Sequence, residues 1–284
     1  MTHLVPEERD FFVRGMRIRA KLWNAEGKHR LIALHGWLDN AASFDRLAPL
    51  LRDCAVLALD LPGQGFSDWR QESSTYHLWD DLVDILQIAN ALQWKRFALL
   101  GHSRGAMLSV MLAASSSDRV SQIFLIDGLT PLPVLPEKAP EQLGRFLQEI
   151  QQPYKSSRVF SSKEEAVKAR AAAGKIPESV ADLLAVRNLQ SNEGGWVWHV
   201  DPRLKAASAL KLSTEQNHAF LAAVRCPVTV FLADGGFGSF PGIEEVISRY
   251  PHFSWQRLSG HHHLHMDDAA DEIAGKILER IGQD

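Results

Sequence analysis

The chain has 284 residues, 45% of them hydrophobic and 23% charged, which is the composition of a globular protein and excludes a disordered or fibrous one. The formal net charge is −3, with both signs scattered and no basic block, so a nucleic-acid partner has no electrostatic support. The first ten residues are polar and charged and no apolar run approaches a membrane span, and the two cysteines, Cys54 and Cys226, each open an apolar run and read as small buried hydrophobes. The expectation is therefore a cytoplasmic protein with no membrane partner.

In chain order, Phe11 to Arg14 and Arg17 to Trp23 read as an opening hairpin turning at Gly15. Leu31 to Leu34, Val56 to Leu59, Phe97 to Leu100, Ile123 to Ile126 and Val228 to Leu232 are short, nearly continuous apolar runs. They suit strands buried on both faces of a parallel sheet. A weaker run covers Phe253 to Leu258. Between them, Leu78, Leu82, Ile85, Ala89 and Leu92 recur at helical spacing, which predicts a helix from about Thr75 to Gln93 with Thr75 as its N-cap. A second helix is expected to begin at Ser103. This alternation predicts an α/β protein built from βαβ units.

The alternation stops after Ile126. From residue 130 to 213 the chain is rich in helix formers and broken by Pro131, Pro133, Pro136, Pro140, Pro153, Pro177 and Pro202. Three or more short helices are expected there. They would form an inserted cap (130–213) over a core made of 1–129 and 214–284, seated above the crevice at the carboxyl ends of the strands.

Four motifs carry chemistry. Gly101-His102-Ser103-Arg104-Gly105 follows an apolar run and opens a helix, the strand–turn–helix context in which a serine hydroxyl is exposed on a strained turn. His35-Gly36-Trp37 follows an earlier strand. Asp60 to Asp68 (DLPGQGFSD) is a Pro- and Gly-marked loop, where Asp60 is expected to brace the turn. Gly260-His261-His262-His263-Leu264-His265-Met266-Asp267 lies near the C-terminus. Four imidazoles in five positions invite a metal, but no matching cluster of carboxylates or thiolates appears elsewhere, and a catalytic base is the better account. No metal and no cofactor is expected.

These motifs in this order resemble the α/β-hydrolase superfamily, and the resemblance spans nearly the whole chain. Ala33 to Leu51 (ALHGWLDNAASFDRLAPLL), Trp198 to Leu204 (WHVDPRL) and Gly260 to Asp267 (GHHHLHMD) look like the serine hydrolase-like family within it. The resemblance implies an eight-stranded, mostly parallel sheet flanked by helices, with a helical cap. It implies Ser103 as nucleophile and the backbone N–H groups of Trp37 and Arg104 as an oxyanion hole. His262, followed by His265 and Asp267 at the spacing common in the superfamily, is the implied base. His261 then stands where Gly is common, His263 and His265 are left to packing and local hydrogen bonds, and Asp267 is placed to cap the last helix.

The acid has two candidates. Its usual superfamily position falls on Phe237, with Asp234 shortly before it. An alternative position, the end of the strand before the cap, holds Asp127, and Asp127 is preferred. Trp196 and Trp198 are candidates to line a substrate pocket. The expected reaction is acyl transfer to water from a small-molecule substrate, a small carboxylic ester. The alternatives on the same fold are a C–C bond hydrolase, a cofactor-free dioxygenase and a non-catalytic ligand receptor. A haloalkane dehalogenase would need Asp at position 103.

Overall fold

The computed structural model describes residues 4–152, 157–267 and 269–283. Pro153, one of the prolines of the long insertion, lies outside them. Eight strands form one sheet: β1 (Glu7–Val13), β2 (Met16–Trp23), β3 (His29–Leu34), β4 (Cys54–Leu59), β5 (Phe97–His102), β6 (Val120–Ile126), β10 (Val228–Gly235) and β11 (Phe253–His261). A smaller three-stranded sheet holds β7 (Val159–Phe160), β8 (Leu189–Asn192) and β9 (Gly195–Trp198). The order in the large sheet is β1-β2-β4-β3-β5-β6-β10-β11; the pairs made by β2 are antiparallel and all others are parallel.

The apolar runs are continuous because both faces of the sheet are covered. Ile32 and Leu34 join Leu57, Leu59 and Leu99 in the core on one face, with Ile85, Ile88 and Leu108 from the helices. Leu31 and Ala33, one residue out of phase, join Val56, Ala58 and Leu100 on the other, with Phe44, Ile273 and Ile277. The first face is covered by α1 (Leu78–Ala91), α2 (Arg104–Ser115), α6 (Thr214–Ala223) and α7 (Ile243–Ser248); the second by α8 (Ala270–Arg280) and the segment after β3. Cys54 and Cys226 are free and buried. No helix among the described residues is long and apolar enough to cross a membrane.

Two expected caps are displaced. The first helix starts at Leu78 with His77 at its N-cap, while the Thr75 hydroxyl bonds the His77 ring at 2.7 Å instead of a helix amide. The last helix has Ala269 at its N-cap; the Asp267 carboxylate lies 3.6 Å from Arg46 and 3.5 Å from the His261 ring.

Between β6 and β10 come α3 (Ala139–Ile150), α4 (Lys163–Gly174) and α5 (Glu178–Asn188), interleaved with the small sheet. Several prolines that look like breaks are starts: Pro140 and Pro202 occupy first-turn positions and Pro177 is the N-cap of α5, where a missing N–H costs nothing. This segment has its own hydrophobic cluster, built on Phe160, Val167, Val180 and Leu184. Met266, from the histidine-rich loop after β11, is buried in that same cluster.

Candidate active site

Ser103 joins β5 to α2 with φ 52° and ψ −111°, a conformation that L-residues rarely adopt. The flanking glycines are there because nothing else fits. A Cβ on Gly105 would stand 1.9 Å from the Leu34 carbonyl oxygen, and one on Gly101 would stand 2.3 Å from the Gly105 carbonyl oxygen. The Ser103 side chain makes no capping bond to α2, so its hydroxyl is not spent on the helix. Arg104 is the first residue of that helix, where a backbone N–H has no intrahelical partner and the helix dipole favours negative charge. Its guanidinium is held from α1 by Asp81 at 2.5 Å, and Asp81 also binds Arg70 at 2.9 Å. Asp81 was not singled out in the sequence analysis, although an acid four residues before Ile85 lies on the buried face of the helix, and that position is the signal that could have found it.

The loop after β3 approaches from the other side. His35 is fully buried; its Nδ1–H donates to the Gly36 carbonyl (2.7 Å) and its Nε2 accepts from the Leu61 amide (3.0 Å), which ties this loop to the one after β4. Burial pushes its pKa down, so the neutral tautomer suits both bonds. Asp60 braces the DLPGQGFSD loop as expected, accepting from the amides of Ala41 and Phe66 and from Arg187 of α5. Trp37 is half exposed, and its indole N–H donates to the Leu204 carbonyl at 3.0 Å.

The histidine-rich loop completes the arrangement. The His262 Nδ1–H donates to Asp127 Oδ2 at 2.5 Å. Asp127, at the end of β6, has φ 43° and is completely buried. Its Oδ1 accepts from the Ala233 amide at 2.8 Å, and the Phe237 amide reaches both oxygens at 3.0 and 2.8 Å. The residue at the usual acid position thus contributes a backbone N–H, and the carboxylate arrives from the neighbouring strand. Gly236 leaves room for it: a Cβ there would stand 2.0 Å from Asp127 Oδ2. Asp234 points elsewhere, half exposed and 3.4 Å from Arg257.

With Nδ1 committed to Asp127, Nε2 of His262 carries the lone pair in the neutral ring. The loop is fastened to the serine turn by His102, whose Nε2–H donates to the His262 carbonyl at 2.9 Å. Behind it lies a buried group that the sequence did not reveal. His263 Nε2–H donates to Asp39 Oδ2 at 3.0 Å, His102 Nδ1 lies 3.5 Å from the same oxygen, and Arg170 of α4 binds the other oxygen at 2.9 Å. Burial pushes the Asp39 carboxyl up, but the imidazoles of His263 and His102 outweigh it and hold it well below the usual range. Burial brings His102 down to about 4. Asp39, His102 and His263 have donor atoms within 4.8 Å of one another, a spacing open to a metal ion. Arg170 already neutralises the one carboxylate, so a divalent ion there would bring uncompensated positive charge into a buried site.

A cavity of about 1100 Å³ opens onto Ser103, Arg104 and Trp37. Its walls are largely apolar, with Met107, Met111, Leu135 and Leu204 among them, and Gln142, Arg145 and Glu149 of α3 add polar groups. Trp196 and Trp198, the residues expected to line it, lie elsewhere: they stand on β9 and pack against the cluster of the insertion, with the Trp198 indole N–H donating to the Ala166 carbonyl.

Residues 30–269 match the family model described as alpha/beta hydrolase fold. A probable serine hydrolase of Drosophila melanogaster is 32% identical over 92% of this chain and 83% of its own length. The crystal structure of a hypothetical protein from Pseudomonas aeruginosa PAO1 superposes with TM-score 0.90 at 40% identity, covering 96% of this chain and 97% of that one. A thioesterase domain from the curacin biosynthetic pathway superposes with TM-score 0.85 at 25% identity, covering 96% and 99%. A strained strand–turn–helix junction at Ser103, a sheet with this strand order and a family match over most of the chain converge, and the chain belongs to the α/β-hydrolase superfamily.

Proposed function

We propose that the protein is a serine hydrolase that transfers an acyl group from an ester or thioester to water. Ser103 Oγ attacks the carbonyl carbon while His262 Nε2 takes its proton. The oxyanion forms against the backbone N–H groups of Trp37 and Arg104. His262 returns the proton to the leaving oxygen or sulfur, and the same steps with water free the acid. Asp127 fixes the imidazole tautomer and stabilises the imidazolium. The observation that carries this reading is the 2.5 Å bond from His262 Nδ1 to a fully buried Asp127, on the loop fastened to the serine turn.

The segment between β6 and β10 acts as a cap: Leu204, Leu135 and Arg145 from it line the cavity onto which Ser103 opens. A cavity of about 1100 Å³ with apolar walls suits an acyl chain or ring of some size better than the small carboxylic ester that the motifs alone suggest. The similarity to a thioesterase domain supports including thioesters. A fluorophosphonate should label the Ser103 peptide in the wild type and not in Ser103→Ala. Hydrolysis of aryl esters and acyl thioesters should rise with acyl length from acetyl before it falls. Undiminished labelling of Ser103→Ala removes the assignment.

A further inference from the structure

The histidine loop carries two carboxylate–imidazole pairs back to back. His262 is held by Asp127 on one side, and the next residue, His263, is held by Asp39 on the other. The first pair lies wholly within the core sheet and its loops. The second does not end at the core, because the free oxygen of Asp39 is bound by Arg170 from α4 in the cap.

Two further contacts tie the same two parts, and a third observation places His102 beside them. Asn40, beside Asp39, donates from its side chain to the Leu184 carbonyl of α5 at 2.8 Å, and both residues are buried. Met266, four residues after His262, is buried in the hydrophobic cluster of the cap. His102, which holds the His262 carbonyl, has its Nδ1 buried without a hydrogen-bond partner and turned towards Asp39 at 3.5 Å. Asp39 itself is 1% exposed. A carboxylate so buried needs opposite charge or donors on both oxygens, and here one comes from the cap and one from the histidine loop.

We propose that Asp39 is a positioning residue that couples the seating of the cap to the placement of His262, through the chain Arg170–Asp39–His263. It acts through His263 and does not touch the reacting atoms. The proposal rests on the reading of His262 as the base. With the cap seated, Arg170 fixes Asp39, Asp39 fixes the His263 ring, and the backbone of residue 262 is held from both sides. With the cap displaced, Asp39 loses its cation and the histidine loop loses the support that reaches it through His263. The base is then in register with Ser103 only when the site is covered and water is excluded.

The test uses Arg170→Ala, Arg170→Lys and Asn188→Ala. The last breaks a different contact between cap and core, the 2.6 Å bond from the Gly65 amide to Asn188. Hydrogen–deuterium exchange of the peptide covering 259–267 reads the loop directly. The rate of fluorophosphonate labelling at Ser103, with kcat and KM on an aryl ester, reads the base. Arg170→Ala should raise exchange in that peptide and slow labelling and kcat roughly 10–100-fold, the usual effect of losing an outer partner of a site histidine, with KM changed little. Arg170→Lys should restore most of the labelling rate, since it keeps the charge. Asn188→Ala should show neither effect. Unchanged loop exchange in Arg170→Ala overturns the coupling, and so does an equal effect in Asn188→Ala, which would mean that any loosening of the cap suffices. If the wild type fails to label at Ser103, the serine hydrolase reading fails, while the exchange measurement still decides whether cap and histidine loop are coupled.

Discussion

Asp127→Asn separates the two candidate acids in one comparison. In the wild type, one carboxylate oxygen serves the Ala233 amide, the Phe237 amide reaches both, and the other serves His262. An asparagine in the same place keeps its oxygen on the two backbone amides and turns its NH2 group to His262. Nδ1 must then accept, so the ring proton moves to Nε2 and the lone pair no longer faces the serine. Loss of the correct tautomer costs roughly 10⁴ in kcat. At about 1.36 kcal/mol per decade that is about 5 kcal/mol of barrier. The cost in stability is smaller. Two amide bonds change from a charged to a neutral acceptor, at about 1 kcal/mol each, so the protein stays folded. Asp234→Asn removes only an exposed partner 3.4 Å from Arg257, which is worth less than about 1 kcal/mol, and kcat should barely change. Steady-state kinetics on one aryl ester, with urea unfolding of both variants, tests the pair. An Asp127→Asn enzyme retaining more than about a tenth of wild-type kcat, or an Asp234→Asn enzyme as crippled as expected for Asp127, refutes the reasoning.

Three other outcomes follow from the same geometry. Ser103→Gly should unfold at higher urea than the wild type, by about 1 kcal/mol, because glycine relieves the strain at φ 52°; an unchanged or lower midpoint contradicts the strain. Gly105→Ala should fail to fold or lose more than about 3 kcal/mol, since its methyl meets backbone, whereas Gly144→Ala on α3, with open space around it, should gain up to about 1 kcal/mol; equal midpoints for the two would dismiss the close-approach account. Stability should fall with acid in the window set by His102. Between its unfolded value of about 6.5 and its folded value of about 4 the unfolded chain holds a proton that the folded chain does not, which removes about 3 kcal/mol as pH drops across that range. Burial lowers His35 and His265 in the same direction. Urea midpoints measured from neutral pH downwards check this, and a flat profile above pH 4.5 rules it out.

The sheet was legible because a strand covered on both faces leaves an apolar run that needs no partner to be seen. Each expected run lies within a strand except the first, whose Arg14 falls in the turn after β1, and the other errors are at ends, where His29, Cys54 and Val120 extend pairing beyond the apolar stretch. The serine turn was legible for a related reason: glycines two residues either side of Ser103 record collisions with Leu34 and Gly105. The small sheet between β6 and β10 was not legible, because its strands are two to four residues long and half-buried and leave no period to detect. The misplacement of Trp196 and Trp198 follows from missing that sheet, whose pairing keeps both rings on the cluster of the insertion and away from the cavity. Asp39 was invisible because its partners come from residues 102, 170 and 263, and no local pattern joins them.

The position of Asp127 has a consequence for how this site tolerates change. Ser103 and Asp127 stand at the ends of β5 and β6, adjacent strands in register from Gly101 and His102 to Leu125 and Ile126. Their separation is therefore set by the hydrogen-bond spacing of a sheet, about 4.8 Å from strand to strand, and by no loop. The end of β10 and the turn after it, relieved of the carboxylate, supply the amides of Ala233 and Phe237 and the space at Gly236. Their side chains are left without chemistry. On the proposed mechanism, variation at Asp234, Phe237 and Phe240 would leave the charge of Asp127 in place, and a foreign segment grafted between β6 and β10 would leave Ser103 and Asp127 on the same rigid rails. Of the three proposed groups, His262 is the one that such a graft would have to re-aim.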